Sequence, residues 1–155
     1  GCLPADGHPH DREESAMDQM RDMMKTMPAS MMQDSMMQNM DMMVMQECME
    51  ACNACMQACT MCSDAMSGMD GMGMCASMCA MCADVCSTMM KMMMRPMSMS
   101  TETMMPMLQA CIAMCRACMD ECAKHADMSE TCRMCMMAAE TCMKACEKMM
   151  ASMGA

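Results

Sequence analysis

Residues 48–62 read CMEACNACMQACTMC, and the spacing of their cysteines decides the fold. Cys48, Cys52, Cys55, Cys59 and Cys62 are separated by alternating steps of four and three residues. Such steps return to one side of an α-helix at every turn, at the positions Leu or Ile would hold in a bundle seam. The rhythm recurs at Cys75, Cys79, Cys82 and Cys86, at Cys111, Cys115, Cys118 and Cys122, and at Cys132, Cys135, Cys142 and Cys146. The repeating unit is C-x3-C-x2-C-x3-C; in the fourth run Ala139 stands where a further cysteine would keep the register. Four runs, each long enough for a bundle helix, predict four helices that turn their thiols toward a common axis.

Composition agrees that sulfur replaces the usual core. Branched aliphatics are limited to Leu3, Val44, Val85, Leu108 and Ile112, and Phe, Tyr and Trp are absent. A net charge of -10 with so few aliphatics would ordinarily indicate disorder. Here 42 Met and 18 Cys supply the apolar volume, in periodic stripes. The acidic balance argues against nucleic acid as a partner. No run of 18 uncharged apolar residues exists, so no membrane span is expected.

The chain divides into a tail with a short helix, residues 1–29, and a bundle, residues 30–155. Residues 1–10, rich in Gly, Pro and His, read as a lead-in, with His8 and His10 in a solvated tail. Asp11 and Glu14 signal a helix start, and Met17, Met20, Met24 and Met27 keep the helical rhythm up to Pro28. The bundle helices are expected at about 30–66, 70–94, 104–124 and 128–153, the first opened by Ser30 with Gln33 and the last by Asp127 with Glu130. Gly68 and Gly154 close helices, and Pro96 follows the end of the second. Short turns near Gly68 and Asp127 make neighbours antiparallel. The expected fold is therefore all-α, an antiparallel up-down-up-down four-helix bundle with a Cys-lined core and a short N-terminal Met-rich helix.

Cysteine at this density often means a disulfide framework. Thiols in parallel projection from one rigid helix face do not converge as a disulfide requires, although bridges between helices stay open to an oxidised, metal-free sample. A thiolate-lined tube suits a soft metal, and Cu(I), content with two or three sulfur ligands, suits it best. Seven disjoint pairs have the i, i+4 spacing that one ion can bridge: Cys48 with Cys52, Cys55 with Cys59, Cys75 with Cys79, Cys82 with Cys86, Cys111 with Cys115, Cys118 with Cys122, and Cys142 with Cys146. Cys62, Cys132 and Cys135 are left to bridge between helices. Capacity lies between roughly 8 and roughly 17 Cu(I) per chain, and the upper figure leaves the core neutral. Zinc in four-thiolate sites is the alternative metal, at two buried negative charges per site. The C-x2-C-x2-C-x3-C-P run of an iron–sulfur protein is missing.

Beyond the cysteines the seam differs at its two ends. Met66, Met69, Met72, His125 and Met128 fall at one mouth, where thioether and imidazole would form exchangeable entry sites; Met filler and a helix-end cation are the plainer readings. At the other end the register gives Met45, Met89, Met93, Met104, Leu108, Met149 and Met153. That group is either a weaker thioether compartment or a packed extension of the core.

The repeated pairs CMEAC, CASMC, CIAMC and CMKAC resemble the bacterial four-helix-bundle copper storage proteins over about residues 30–153. The resemblance implies storage of many Cu(I) ions on thiolates inside a bundle, often in a tetramer, with a His and Met cluster at the open end. Those roles would fall on the seam cysteines and on Met66, Met69, Met72, His125 and Met128. The Met content, Ala139 and the lack of aromatics depart from the pattern.

The expected function is non-enzymatic storage and buffering of Cu(I), with release to acceptor proteins. Detoxifying sequestration and a zinc or thiol reservoir are the alternatives. No nucleophile–base pair or phosphate loop competes. Oxidation-resistant thioethers, with Cys2 as a candidate lipidation site, favour a periplasmic or lipid-anchored location; a cytoplasmic one is the alternative.

Overall fold

The computed structural model describes residues 18–19, 21–22 and 42–154. Four helices make up the bundle: α1 Met42–Met66, α2 Gly73–Met93, α3 Thr101–Ala123 and α4 Glu130–Ser152. Each packs against its two neighbours, α1 with α2 and α4, and α3 with α2 and α4, which closes an antiparallel square. Of the N-terminal Met helix, residues 18–19 and 21–22 are helical, with Arg21 Nη2 on Asp18 Oδ1 at 2.9 Å. Met17, Met20, Met24, Met27, Cys2, His8, His10 and the start expected at Ser30 lie outside the described residues.

Local chemistry explains the boundaries. Between α1 and α2 the chain reverses through Gly68 and Gly71, whose φ values of 83° and 76° any side chain would strain. The second helix opens at Gly73 rather than at 70. The third opens earlier than expected, because Ser100 caps it by accepting a hydrogen bond from the Thr103 amide at 3.3 Å. Pro106 consequently falls inside α3 rather than in its first turn, where its ring leaves the Glu102 carbonyl without a helical donor. The fourth is capped by Ser129, not by Asp127: the Ser129 hydroxyl accepts from the Cys132 amide at 3.1 Å. Glu130 still sits in the first turn, where the helix dipole favours an anion.

The core is almost entirely sulfur. All 17 seam cysteines are fully buried, joined by Met45, Met49, Met89, Met93, Met104, Leu108, Ala139 and Met149. Gln46 and Glu121 are the buried polar or charged residues among those described, so no buried side chain carries positive charge into the core. One helix, α2, has the length and composition to cross a membrane, with a mean hydropathy of 1.3. Asp84 and Lys91 interrupt it, so it is not an uncharged apolar run of the kind sought above. In the bundle α2 turns its Cys75, Cys79, Cys82, Cys86, Met89 and Met93 face to the axis, as a core helix does.

Candidate metal site

The seam cysteines form a ladder. Going along α4, Cys132, Cys135, Cys142 and Cys146 approach Cys62, Cys59, Cys52 and Cys48 of α1 at sulfur separations of 3.9, 3.5, 3.7 and 3.7 Å. Each step forward on α4 is matched by an equal step back on α1, so the antiparallel register never slips. Diagonal contacts from α2 to α4 keep the same order: Cys75 to Cys132 at 4.0 Å, Cys79 to Cys135 at 3.8 Å and Cys86 to Cys142 at 3.9 Å.

The ladder sorts into five layers. The first, at the end where α1 finishes, holds Cys62, Cys75, Cys122 and Cys132; the second holds Cys59, Cys79, Cys118 and Cys135. In the third stand Cys55, Cys82 and Cys115, with Ala139 at the α4 corner. The fourth holds Cys52, Cys86, Cys111 and Cys142. The fifth has Cys48 and Cys146, with Met89 and Leu108 at the other corners by register. Several groups of four thiols have all their sulfurs within 4.8 Å of one another, among them Cys79, Cys118, Cys122 and Cys135.

Most approaches run between helices. Of the seven expected i, i+4 pairs, Cys55 with Cys59 at 3.8 Å and Cys82 with Cys86 at 4.0 Å are in hydrogen-bonding contact. The reason is the pitch of a bundle: side chains that point at the axis meet the facing helix sooner than the next turn of their own. All 17 thiols are free rather than disulfide-bonded.

The electrostatics follow from the dry, cation-free wall. Burial drives the Cys62 thiol up, and pushes Cys75 up to about 12. Where one thiol donates to its neighbour the acceptor moves the other way: Cys48, hydrogen-bonded by Cys146, is pulled down. A Cu(I) ion that replaces a shared proton leaves the charge balance of such a pair unchanged.

At the first-layer end Met66 is buried, and the Cys132 thiol donates to its Sδ at 3.7 Å. Met72 packs partly buried against the core. His125 lies in the turn just after α3, its Nε2 3.4 Å from Glu121 Oε1. Met69 and Met128 do not join: they are 53% and 85% exposed. The expected five-ligand mouth is thus three residues deep, because residues 69 and 128 lie in turns that swing out of the seam. Sequence reading missed Glu121. Its carboxylate is buried next to Cys122 and is held below the usual range by a hydrogen bond from Lys124 Nζ at 3.0 Å and by His125. Its place one residue before a seam cysteine was the available signal.

At the other end Met45, Met93, Met104 and Met149 form a sixth layer, one thioether from each helix, all 0–1% exposed. Met99 closes over them at 2%. Met153 is only partly buried, where the α4 C-terminus runs out of partner.

Residues 41–151 match the family model described as copper storage protein. The chain belongs to this family. Among solved structures of the copper storage family, the chain is similar to Ccsp from Streptomyces lividans loaded with 10 copper equivalents, at 34% identity and TM-score 0.77, covering 86% of this chain and 98% of that one. A structure described as copper loading to a cytosolic copper storage protein from Streptomyces lividans, with five coppers, matches at 38% identity and TM-score 0.68, over 70% of this chain and 92% of that one. A histidine-to-alanine mutant of the Streptomyces lividans Ccsp matches at 37% identity and TM-score 0.72, over 75% and 99% of the two chains. No curated protein sequence matches.

Proposed function

We propose that this chain takes up Cu(I) at the Met66, Met72 and His125 end, holds it on the thiolates of the five layers and releases it by the same route. The observation that carries the reading is 17 fully buried thiols packed on one another in a core with no buried cation among the described residues. Cu(I) at one ion per thiolate neutralises such a core. Tetrahedral zinc on four thiolates would bury two negative charges per site with nothing to offset them.

Thioether and imidazole at the mouth bind Cu(I) more weakly than thiolate, which suits transient capture before transfer inward to Cys132 and Cys62. Glu121 steers this step: with Nε2–H of His125 donated to its carboxylate, the Nδ1 lone pair is free for the ion. The Met45, Met93, Met104 and Met149 layer supplies weaker sites that fill after the thiolates. The relative described as cytosolic favours storage in the cytoplasm over export, and assembly into a tetramer follows the family resemblance. Copper acceptor proteins are the recipients on release.

Anaerobic titration of the reduced chain with Cu(I) against a chromophoric chelator tests the reading. Tight uptake near one ion per seam cysteine is the expected result, with any later, weaker uptake assigned to the methionine layer. Saturation near four ions would turn the reading to zinc, and no uptake to a thiol reservoir. Slow release from a fully loaded chain to a strong chelator would mark sequestration rather than buffering.

A further inference from the structure

The flank between α1 and α4 is open in its mouth-side half. A cleft of about 270 Å³ lies there, edged by Ala54, Ala58 and Met61 of α1 and by Thr131 and Met134 of α4, with Cys135 at its floor. Alanine methyls and a threonine are too short to cover the seam, so the space between the helices stays unfilled. Farther along the same flank the helices close up: Ala51 and Ala145 are buried, and Lys148 Nζ donates to Glu47 Oε2 at 2.9 Å. The cleft between α1 and α2 differs in chemistry. Groups such as Ser63, Asp64 and Asp84 line it, offering oxygen, and no described thiol is among them.

Two exposed thioethers stand above a sealed thiol. Met61 is 69% and Met134 58% exposed, while Cys135 is 0% exposed. The two lips belong to different helices, which the Cys59 and Cys135 sulfurs tie together at this level at 3.5 Å. The nearby cation is engaged elsewhere: Arg133 pairs with Glu130, and its Nη1 contacts the Met137 sulfur at 3.6 Å. Methionine side chains have three rotatable bonds, so Met61 and Met134 can turn from solvent into the cleft. Thioethers are soft, neutral donors that select Cu(I) over hard cations.

We propose, resting on the Cu(I) storage reading, that this cleft is a lateral port in which Met61 and Met134 capture Cu(I) and pass it to Cys135. The ion exchanges its thioether ligands for the Cys135 sulfur, the thiol proton leaves to solvent, and no electron is transferred. Cys59, Cys79 and Cys118, at 3.5, 3.8 and 4.0 Å from Cys135, then share the ion, and Cys59 hands it inward to Cys55 at 3.8 Å. Entry at the second layer lets the deeper layers go on filling when the first is already occupied.

The first test is stopped-flow uptake of a single Cu(I) equivalent, supplied as a weak chelator complex, by the reduced full chain and its variants. Met66→Leu/Met72→Leu/His125→Ala strips the mouth of its ligands and should keep a fast uptake phase. Adding Met61→Leu/Met134→Leu should slow that phase roughly tenfold, the lower end of what losing a group that supports a metal site costs. Met137→Leu removes an exposed thioether of α4 outside the cleft and should leave the rate as it is. A mouth-stripped chain already as slow as the combined variant overturns the port, as does a combined variant as fast as the mouth-stripped chain. The second test uses the native reduced chain and so does not depend on any variant folding. Brief treatment with methyl methanethiosulfonate, followed by peptide mapping, should modify Cys135 faster than Cys59, Cys79 and Cys118, its equals in depth along the tube. Equal rates at all four overturn the proposal. Normal Cu(I) uptake with an unreactive Cys135 defeats the port alone; failure of the native chain to take up Cu(I) defeats the storage reading beneath it.

Discussion

Loading the thiol tube with Cu(I) should acidify an unbuffered solution, and the amount follows from the wall of the core. Seventeen thiols are buried there, with no buried cation among the described residues beside them. An isolated anion in such a medium costs several kcal/mol, so the empty core holds its protons at neutral pH, shared along contacts of 3.5–4.0 Å. Each thiol must surrender a proton to become a ligand. Complete loading at one ion per thiol therefore releases about one proton per Cu(I), or about 17 per chain. The first ions, which find private pairs of thiols, release closer to two each. At one proton per ion, apparent affinity falls tenfold, about 1.4 kcal/mol, for every unit the pH drops. A pH-indicator or pH-stat titration of the reduced, desalted chain reads the ratio directly. A ratio near two up to saturation would mean separate two-thiolate sites. A ratio far below one would mean that the empty core already holds thiolates, and would refute the argument from the cation-free wall.

Three further outcomes follow. Ser129→Ala removes the cap that holds the Cys132 amide and should cost about 1 kcal/mol, lowering the melting temperature by about 4 °C; an unchanged melting temperature would mean that the first turn of α4 is held by the neighbouring helices alone. Leu108→Ala empties a fully buried corner beneath the methionine layer. It should cost about 3 kcal/mol, or about 12 °C in a bundle of this size; a loss under 1 kcal/mol would show that the methionines collapse into the space. For Glu121, whose folded pKa lies below its unfolded value, the stabilisation is present above the unfolded pKa and is lost as pH falls through the folded one. Melting curves of the native chain and Glu121→Gln should differ at pH 7 and converge below about pH 4. A gap that persists at pH 3 would assign the effect to packing rather than to the Lys124 and His125 contacts.

The bundle could be read from the sequence because its signal is redundant. Seventeen cysteines in four runs all specify one seam, and the same residues are both core and ligand, so placing one placed the other. What the sequence did not show were features that depend on the facing helix. The i, i+4 pairs looked like the natural two-sulfur units, yet the axis brings Cys59 closer to Cys135 at 3.5 Å than to Cys55 at 3.8 Å. Asp127 looked like the α4 cap, but Ser129 takes the role because its shorter side chain stands next to the first helical residue. Met69 and Met128 keep helical spacing from the seam while the backbone has already turned away at Gly68 and after His125. Periodicity is a property of a helix and gives no warning of where the helix stops.

The methionine layer that seals the inner end has a mechanical consequence. Ions and protons occupy different volumes, so a core that fills with metal must change its internal dimensions while four helices and two tight turns hold its outline. A tightly packed interior of branched side chains resists such a change and passes the strain to the backbone. Met45, Met93, Met104 and Met149 are unbranched, with three rotatable bonds each and no hydrogen bonds to break, so they can yield by changing rotamer. The same layer that seals the tube makes its inner end compliant.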